Sequence, residues 1–402
     1  MKRTLVWLLV ATLLLTALPA AAEEAATSDV YRTLYSGEIT TLNYLVTTTT
    51  NDFAISANVI DTLVEYDRLG EVQPSLAESW STSDDGLVWT FNLRKDATWV
   101  DHNGEYYANV TAHDFVAAAK YILNAQNASS SASILYDVIA GAEEYYDGTA
   151  TPAEGEEPAP VMDWETVGVK AVDDYTLQYT LKNPVPYFLS MTTYVAFMPV
   201  NETFLNEMGA NFGVATGNDT ILYCGAYILS EFAPQEKRVL TKNESNWDAD
   251  NVKLDGISRI YNAEAATLAP TMALRGEVDY ADLSNDIIDD WKANHADIVS
   301  RGRAVPDFSY FFCFNFDPQY DAEYGPDNWR IAVNNSNFRH SIMSAFDRTY
   351  SMRALEPDDP ESILQNTITP ATFCAADGVD YSELAPFDGT EENFFNAEKA
   401  LE

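Results

Sequence analysis

Apolar and polar residues alternate with a strand-like period at several places along the chain. Leu87, Trp89, Phe91 and Leu93 interleave with Val88, Thr90, Asn92 and Arg94, the two-residue repeat of a strand with one buried face. Asp84-Asp85-Gly86 ahead of them is a turn signal. Val167 to Val172 and Tyr175 to Leu181 flank Asp173-Asp174 and predict a hairpin. Val30 to Tyr35 predicts a strand, and Tyr310 to Phe316 predicts an aromatic one. Helical spacing appears elsewhere. Ile55, Val59, Ile60 and Leu63 predict a helix over 54–66. Thr111 is a suitable N-cap for a helix over 111–123, with Asp114 in its first turn. Helices are also predicted over 268–274, 287–295 and 337–350, the last with Phe338, Ile342, Ala345 and Phe346 on one face. The Pro-, Glu- and Ala-rich stretch 148–160 has no apolar period and predicts a surface loop. Strands and helices alternate without internal repeat, which points to α/β or α+β layers.

The N-terminus carries an address. Lys2 and Arg3 precede an uncharged apolar run from Leu5 to Leu18, 14 residues long. A bilayer-spanning helix needs about 20. Pro19 and Ala20-Ala21-Ala22 follow, so an export signal cleaved after Ala22 is expected. No cysteine stands near that point to accept a lipid. Export to an oxidising compartment permits one disulfide among Cys224, Cys313 and Cys374, with Cys313–Cys374 the favoured pair and three reduced thiols the alternative.

Composition then narrows the function classes. The 402 residues include 62 Asp and Glu against 23 Lys and Arg, a net charge of −39. That field repels phosphate backbones and anionic lipid, so nucleic acid is not an expected partner. The four histidines form no zinc pattern, and no nucleophile elbow, Walker loop or dinucleotide fingerprint occurs. No cofactor and no catalytic residue is assigned. With so many acids, adjacent carboxylates are expected by chance and do not argue for glycosidase chemistry. Asp317, Asp321, Glu323 and Asp327 crowd one loop in a spacing that could hold Ca²⁺ but fits no EF-hand.

One ordered set of segments carries a family resemblance. Gln73-Pro-Ser-Leu-Ala-Glu-Ser-Trp80 leads to Trp89-Thr-Phe-Asn-Leu-Arg-Lys-Asp96, then Trp99 and Thr111-Ala-His-Asp-Phe-Val116. Val167–Leu177, Asn183–Phe188, Cys224–Leu229, Asn246-Trp247, Arg275–Asp279 and Phe338–Arg348 follow in order. The set resembles the bacterial extracellular solute-binding proteins of the oligopeptide, dipeptide and nickel class. The resemblance implies a type II periplasmic-binding-protein-like clamp of two α/β lobes with an extra domain II. On this chain it places lobe 1 at 29–60 and 201–306, domain II at 61–200, and a partial lobe 2 at 307–402. The chain stops at Asn396–Glu402 within what looks like the family's next helix, so a fragment with a truncated second lobe is expected.

The resemblance also implies a function: a monomeric, non-enzymatic receptor that gives short peptides to the membrane permease of an ABC importer. A different ligand on the same fold (an oligosaccharide, a nickel chelate, haem or a signalling peptide) and an exported carboxylate-dependent hydrolase are the alternatives. An extended peptide must find partners for its backbone N–H and C=O groups. By position, Thr48, Thr49 and Thr50, in a β-prone run beginning at Thr47, resemble the lobe 1 segment beside the ligand backbone. Tyr310, Phe311 and Phe312 resemble the aromatic strand lining the cleft. Asp347 and Arg348 match a helix-ending pair with a structural role.

Overall fold

A computed structural model describes residues 29–152, 155, 157, 159–160, 162–300, 311–357, 359–364, 367–369, 375–376, 379–384 and 395–401. The leader, Tyr310 and Cys374 lie outside them. The chain divides into two compact units, 1–282 and 283–402.

In the first unit, one four-stranded sheet is ordered β1-β12-β11-β10. Its members are β1 (Val30–Tyr35), β10 (Tyr227–Ala233), β11 (Lys237–Lys242) and β12 (Gly256–Tyr261). β1 runs parallel to β12 and the other pairs are antiparallel. Parallel pairing requires a crossover, and here the intervening chain supplies a second, wholly antiparallel sheet, β4-β5-β9-β8. Its strands are β4 (Ala77–Thr82), β5 (Val88–Leu93), β8 (Val169–Asp173) and β9 (Thr176–Thr180). The expected alternation in β5 and the expected hairpin β8–β9 both form. Two short ribbons join them, β2 (Val64–Tyr66) with β3 (Val72–Pro74), and β6 (Thr98–Val100) with β7 (Tyr106–Asn109).

Helix α1 (Thr50–Val59) packs against β10, and helix α2 (Ala112–Ile122) against β8 and β9. α2 starts where expected. Asp114 accepts from the Thr111 N–H at 2.7 Å and from Trp99 Nε1 at 3.2 Å, closing a capping box over a buried indole. A single buried cluster runs through both sheets. At its centre Tyr179, Phe188 and Phe197 meet edge to face, with centroids 5.5–5.8 Å apart.

The helix expected over 54–66 is displaced. It begins four residues earlier, at Thr50, and ends at Val59, where Ile60 turns extended. The cause of the stop is a distant segment: Cys224 N–H and Gly225 N–H both bond the Val59 carbonyl, at 3.1 and 2.9 Å. The chain then re-enters as β2. A buried joint fastens this corner. Asp61 Oδ2 accepts from Asn246 Nδ2 at 3.0 Å and Trp247 Nε1 at 2.8 Å. The Arg94 guanidinium lies 3.5 Å from the centre of the Trp247 ring. Segments quoted separately in the sequence thus meet as one structural knot.

The second unit contains the Ile288–Asn294, Pro326–Asn334, Ser336–Ala345 and Arg348–Met352 helices and a two-residue hairpin, Ala375–Ala376 with Val379–Asp380. The helix expected over 337–350 is broken. Phe346 is extended and Asp347 Oδ1 accepts from the Tyr350 N–H at 3.1 Å, so Asp347 caps a new helix rather than ending the old one. The expected aromatic strand is also not formed over 311–316: among the described residues no neighbouring strand pairs with it. Phe312 instead packs edge to face on Phe346, with centroids 5.5 Å apart.

Candidate functional site

The loop 36–49 between β1 and α1 is held from several sides. The Leu42 and Asn43 N–H groups bond the Gly213 carbonyl at 2.7 and 3.1 Å, and Tyr44 Oη bonds the Pro199 carbonyl at 2.8 Å. Ser129 Oγ donates to the Leu45 carbonyl at 2.6 Å, and the Ser130 N–H to the Val46 carbonyl at 3.0 Å. At the end of the loop stands Asp52, buried in the first turn of α1. Its carboxylate accepts from the Thr40 N–H and Oγ1, both at 2.8 Å, from Thr47 Oγ1 at 2.6 Å, and from Thr49 Oγ1. Burial pushes the Asp52 pKa up, but these four donors outweigh it and hold the carboxyl below its ordinary value.

The consequence is a rigid, exposed tip. Thr47 is buried, whereas Thr48, Thr49 and Thr50 face solvent. The threonine run is not a strand: Thr49 is the extended N-cap residue of α1, with φ −85° and ψ 136°. β-propensity yields here to the helix start, where Thr49 Oγ1 donates to Asp52 instead of accepting from the first turn, so the threonine ties the loop to α1 without capping it. Thr49 spends its N–H on Thr47 Oγ1 at 3.2 Å and its carbonyl on the Asp52 and Phe53 N–H groups. Thr48 is different. Among the described residues neither its N–H nor its C=O has a hydrogen-bond partner. Beside the tip, Phe53 packs edge to face on the partly exposed Tyr194, at 5.7 Å between centroids.

The six residues singled out in the sequence therefore separate. Thr48, Thr49 and Thr50 form one exposed tip in the first unit. Phe311 and Phe312 belong to the second unit and are 62% and 76% exposed, and Tyr310 lies outside the described residues. Sequence reasoning passed over Asp52, Ser129 and Ser131, which help to hold the tip. The signal for Asp52 was present as Thr49-x-x-Asp52, a capping-box spacing.

Other candidate chemistry resolves into structure. Asp317 and Asp327 both pair with Arg330, at 3.1 and 2.6 Å. No group of three or more His, Cys, Asp or Glu among the described residues is placed to hold a metal. Cys224 is a buried free thiol and Cys313 an exposed one. No helix among the described residues is long and apolar enough to cross a membrane.

Comparison with known proteins decides the family. Residues 71–402 match the model of bacterial extracellular solute-binding proteins, family 5 (middle region). The chain belongs to that family. Family 5 relatives include the oligopeptide-binding protein SarA of Streptococcus gordonii, 31% identical over 92% of this chain and 58% of the relative. The oligopeptide-binding protein AliB of Streptococcus pneumoniae is 32% identical over 95% of this chain and 60% of its own length. The chain thus spans about 60% of the length of these two curated relatives. Among solved structures, the substrate-binding domain of an oligopeptide ABC transporter from Bacillus anthracis superposes with a TM-score of 0.67 and 26% identity, over 93% of this chain and 65% of that one. Listeria monocytogenes OppA bound to peptide gives 0.67 at 24% identity, over 93% and 67%. The mixed α/β fold of this chain is the fold of these type II solute-binding proteins.

Proposed function

We propose that the protein is an exported, non-enzymatic receptor that captures short peptides and gives them to the permease of an ABC importer, acting as a monomer. The observation that carries this reading is the unpaired N–H and C=O of Thr48 on a tip fixed by Asp52 and Ser129–Ser131. A preorganised backbone donor and acceptor suits an extended peptide, and pairing through amides reads no side chain. The names of the oligopeptide-binding relatives support the ligand class. The pairing of β1 with β12 supports grouping 29–60 with 201–306 as lobe 1, and the separate β4-β5-β9-β8 sheet supports 61–200 as domain II. Residues 307–402 are assigned to lobe 2, and Phe311 and Phe312 to its ligand-facing aromatics.

Calorimetric titration of the purified protein with a pool of short peptides tests the proposal through two variants. Thr48→Ala keeps the amide and should bind like wild type. Thr48→Pro removes the N–H and should weaken all ligands alike by about tenfold or more, roughly 1.4 kcal/mol. Unchanged affinity in a normally folded Thr48→Pro protein would sink the assignment. Peptide fragments accumulating at catalytic turnover would sink the receptor reading itself.

A further inference from the structure

A second site lies on the β1-β12-β11-β10 sheet. Arg238 of β11 stands directly opposite Arg259 of β12. Like charges in that position repel, and a chain with 62 acids and 23 bases has carboxylates to spare for them. Only one of the two arginines receives a carboxylate. Arg238 is 1% exposed, and its Nη2 meets Glu38 Oε2 at 2.7 Å and the Gly37 carbonyl at 3.3 Å. Its guanidinium lies 3.9 Å from the centre of the Tyr35 ring. Arg238 Nε is buried without a hydrogen-bond partner among the described residues, and Tyr35 Oη lies beside Glu38 and Arg238 without forming a well-directed bond. Arg259 is half-buried, and among the described residues it makes no ion pair and no hydrogen bond. Its nearest recorded polar-aromatic contact is Tyr35, 5.8 Å from guanidinium to ring centre. Burial, then the charge of Arg238, depress its pKa.

Two carboxylates act on Tyr31 on this face, Asp279 and Asp282, and neither is paired with Arg259. Asp279 is held by Arg32 through Nε at 3.0 Å and Nη2 at 2.7 Å. Asp282 accepts from Tyr280 Oη. Glu38 pairs with one of the two guanidiniums, and among the described residues no carboxylate pairs with the other, which stands on a face walled by tyrosines. The register puts Tyr31 beside Ile257 and Tyr35 beside Tyr261, on the same side as Arg259. Tyr35 and Tyr261 pack edge to face at 5.5 Å. A guanidinium half out of water with open donors is costly unless an anion meets it, and its planar fork matches a carboxylate with two parallel bonds.

We propose that Arg259, backed by Arg238 and flanked by Tyr31, Tyr35 and Tyr261, is a binding site for a carboxylate group, separate from the tip at Thr48. The carboxylate comes either as a small free acid or as an acidic side chain on a peptide segment, and the chemistry at Arg259 is the same. This inference does not rest on the peptide-receptor reading. Sodium acetate and the blocked peptide acetyl-Ala-Glu-Ala-amide are the two probes, each titrated against sodium chloride at matched ionic strength. Thermal melting and the Nε–H resonance of Arg259 are the readouts. Saturable stabilisation with movement of that resonance is expected in wild type and in Thr48→Pro, reduced in Arg259→Lys and absent in Arg259→Gln. A response to acetate assigns a free small acid; a response to the glutamyl peptide alone assigns a presented side chain. Without anion, Arg259→Gln should melt no lower than wild type, because it removes a like charge opposite Arg238. A response unchanged in Arg259→Gln, no saturable response to either probe, or a response to phosphate alone overturns the proposal.

Discussion

Two carboxylates in the first unit, the buried Asp52 and the half-buried Asp61, respond to acid in opposite senses, and the difference lies in how many donors each receives. Asp52 takes four hydrogen bonds and its pKa is lowered despite burial. Its contribution is therefore present above the ordinary carboxylate pKa and lost as pH falls through the depressed one. Asp52→Ala should also remove the acceptor shared by Thr40, Thr47 and Thr49, leaving Thr47 Oγ1 only its longer contacts with Thr49 and costing about 1–3 kcal/mol in denaturant unfolding at pH 7, and it should weaken ligand binding by loosening the tip. Asp61 receives two bonds, and burial pushes it up to about 6. Its contribution is complete below about 4, the ordinary carboxylate pKa, and fades as pH rises through about 6. Asp61→Asn should flatten that decline, so the variant gains on wild type by about 2 kcal/mol between pH 4 and pH 7. Urea melts across that range check the sign, and a variant that loses ground as pH rises would contradict it. At this scale the sequence was half legible. The threonines of the tip could be named, but the one with a free backbone could not, because that depends on which neighbours claim each amide.

Elements were legible where their signal is internal and displaced where a distant partner sets the boundary. The alternation of β5 and the Thr111–Asp114 cap are written within a few residues, and both form as expected. The end of α1 is set by Cys224 and Gly225, some 165 residues away along the chain, which no local window contains. The break before Arg348 needs only that the Asp347 carboxylate accept from the Tyr350 N–H three residues ahead, and apolar periodicity ran straight through it. Gly213 shows how tight the loop before α1 is. It has φ of +66°, and a Cβ there would sit 2.2 Å from the Asn43 nitrogen. Gly213→Ala should thus destabilise by about 1–3 kcal/mol. It should also reduce ligand affinity more than a remote substitution of equal thermodynamic cost, and comparing calorimetric affinity with melting temperature separates the two effects.

Across the whole molecule the buried apolar residues are unevenly shared. The continuous cluster of the core lies entirely within 39–240, whereas Val333 and Leu364 are the buried apolar side chains among the described residues beyond 283. Stability follows buried area less ordering cost, so amides of the Ser336–Ala345 helix should exchange with solvent faster than those of Ala112–Ile122. Limited proteolysis should cut after Asp282 before it cuts within the first unit. Equal protection in both helices would show that the second unit is steadied by something other than its own core. Fold class was readable from the ordered family blocks because residues in them are structural: Arg94, Asn246 and Trp247, quoted from separate blocks, build one corner.

The free amide of Thr48 has a further implication for how such a surface changes over generations. Any residue except proline carries the same N–H and C=O, so position 48 can drift in identity without altering what it offers a ligand. The constraint falls instead on the residues that hold it still, above all Asp52. Under the proposed peptide-binding role, such a contact leaves its trace in the scaffold and none at position 48 itself.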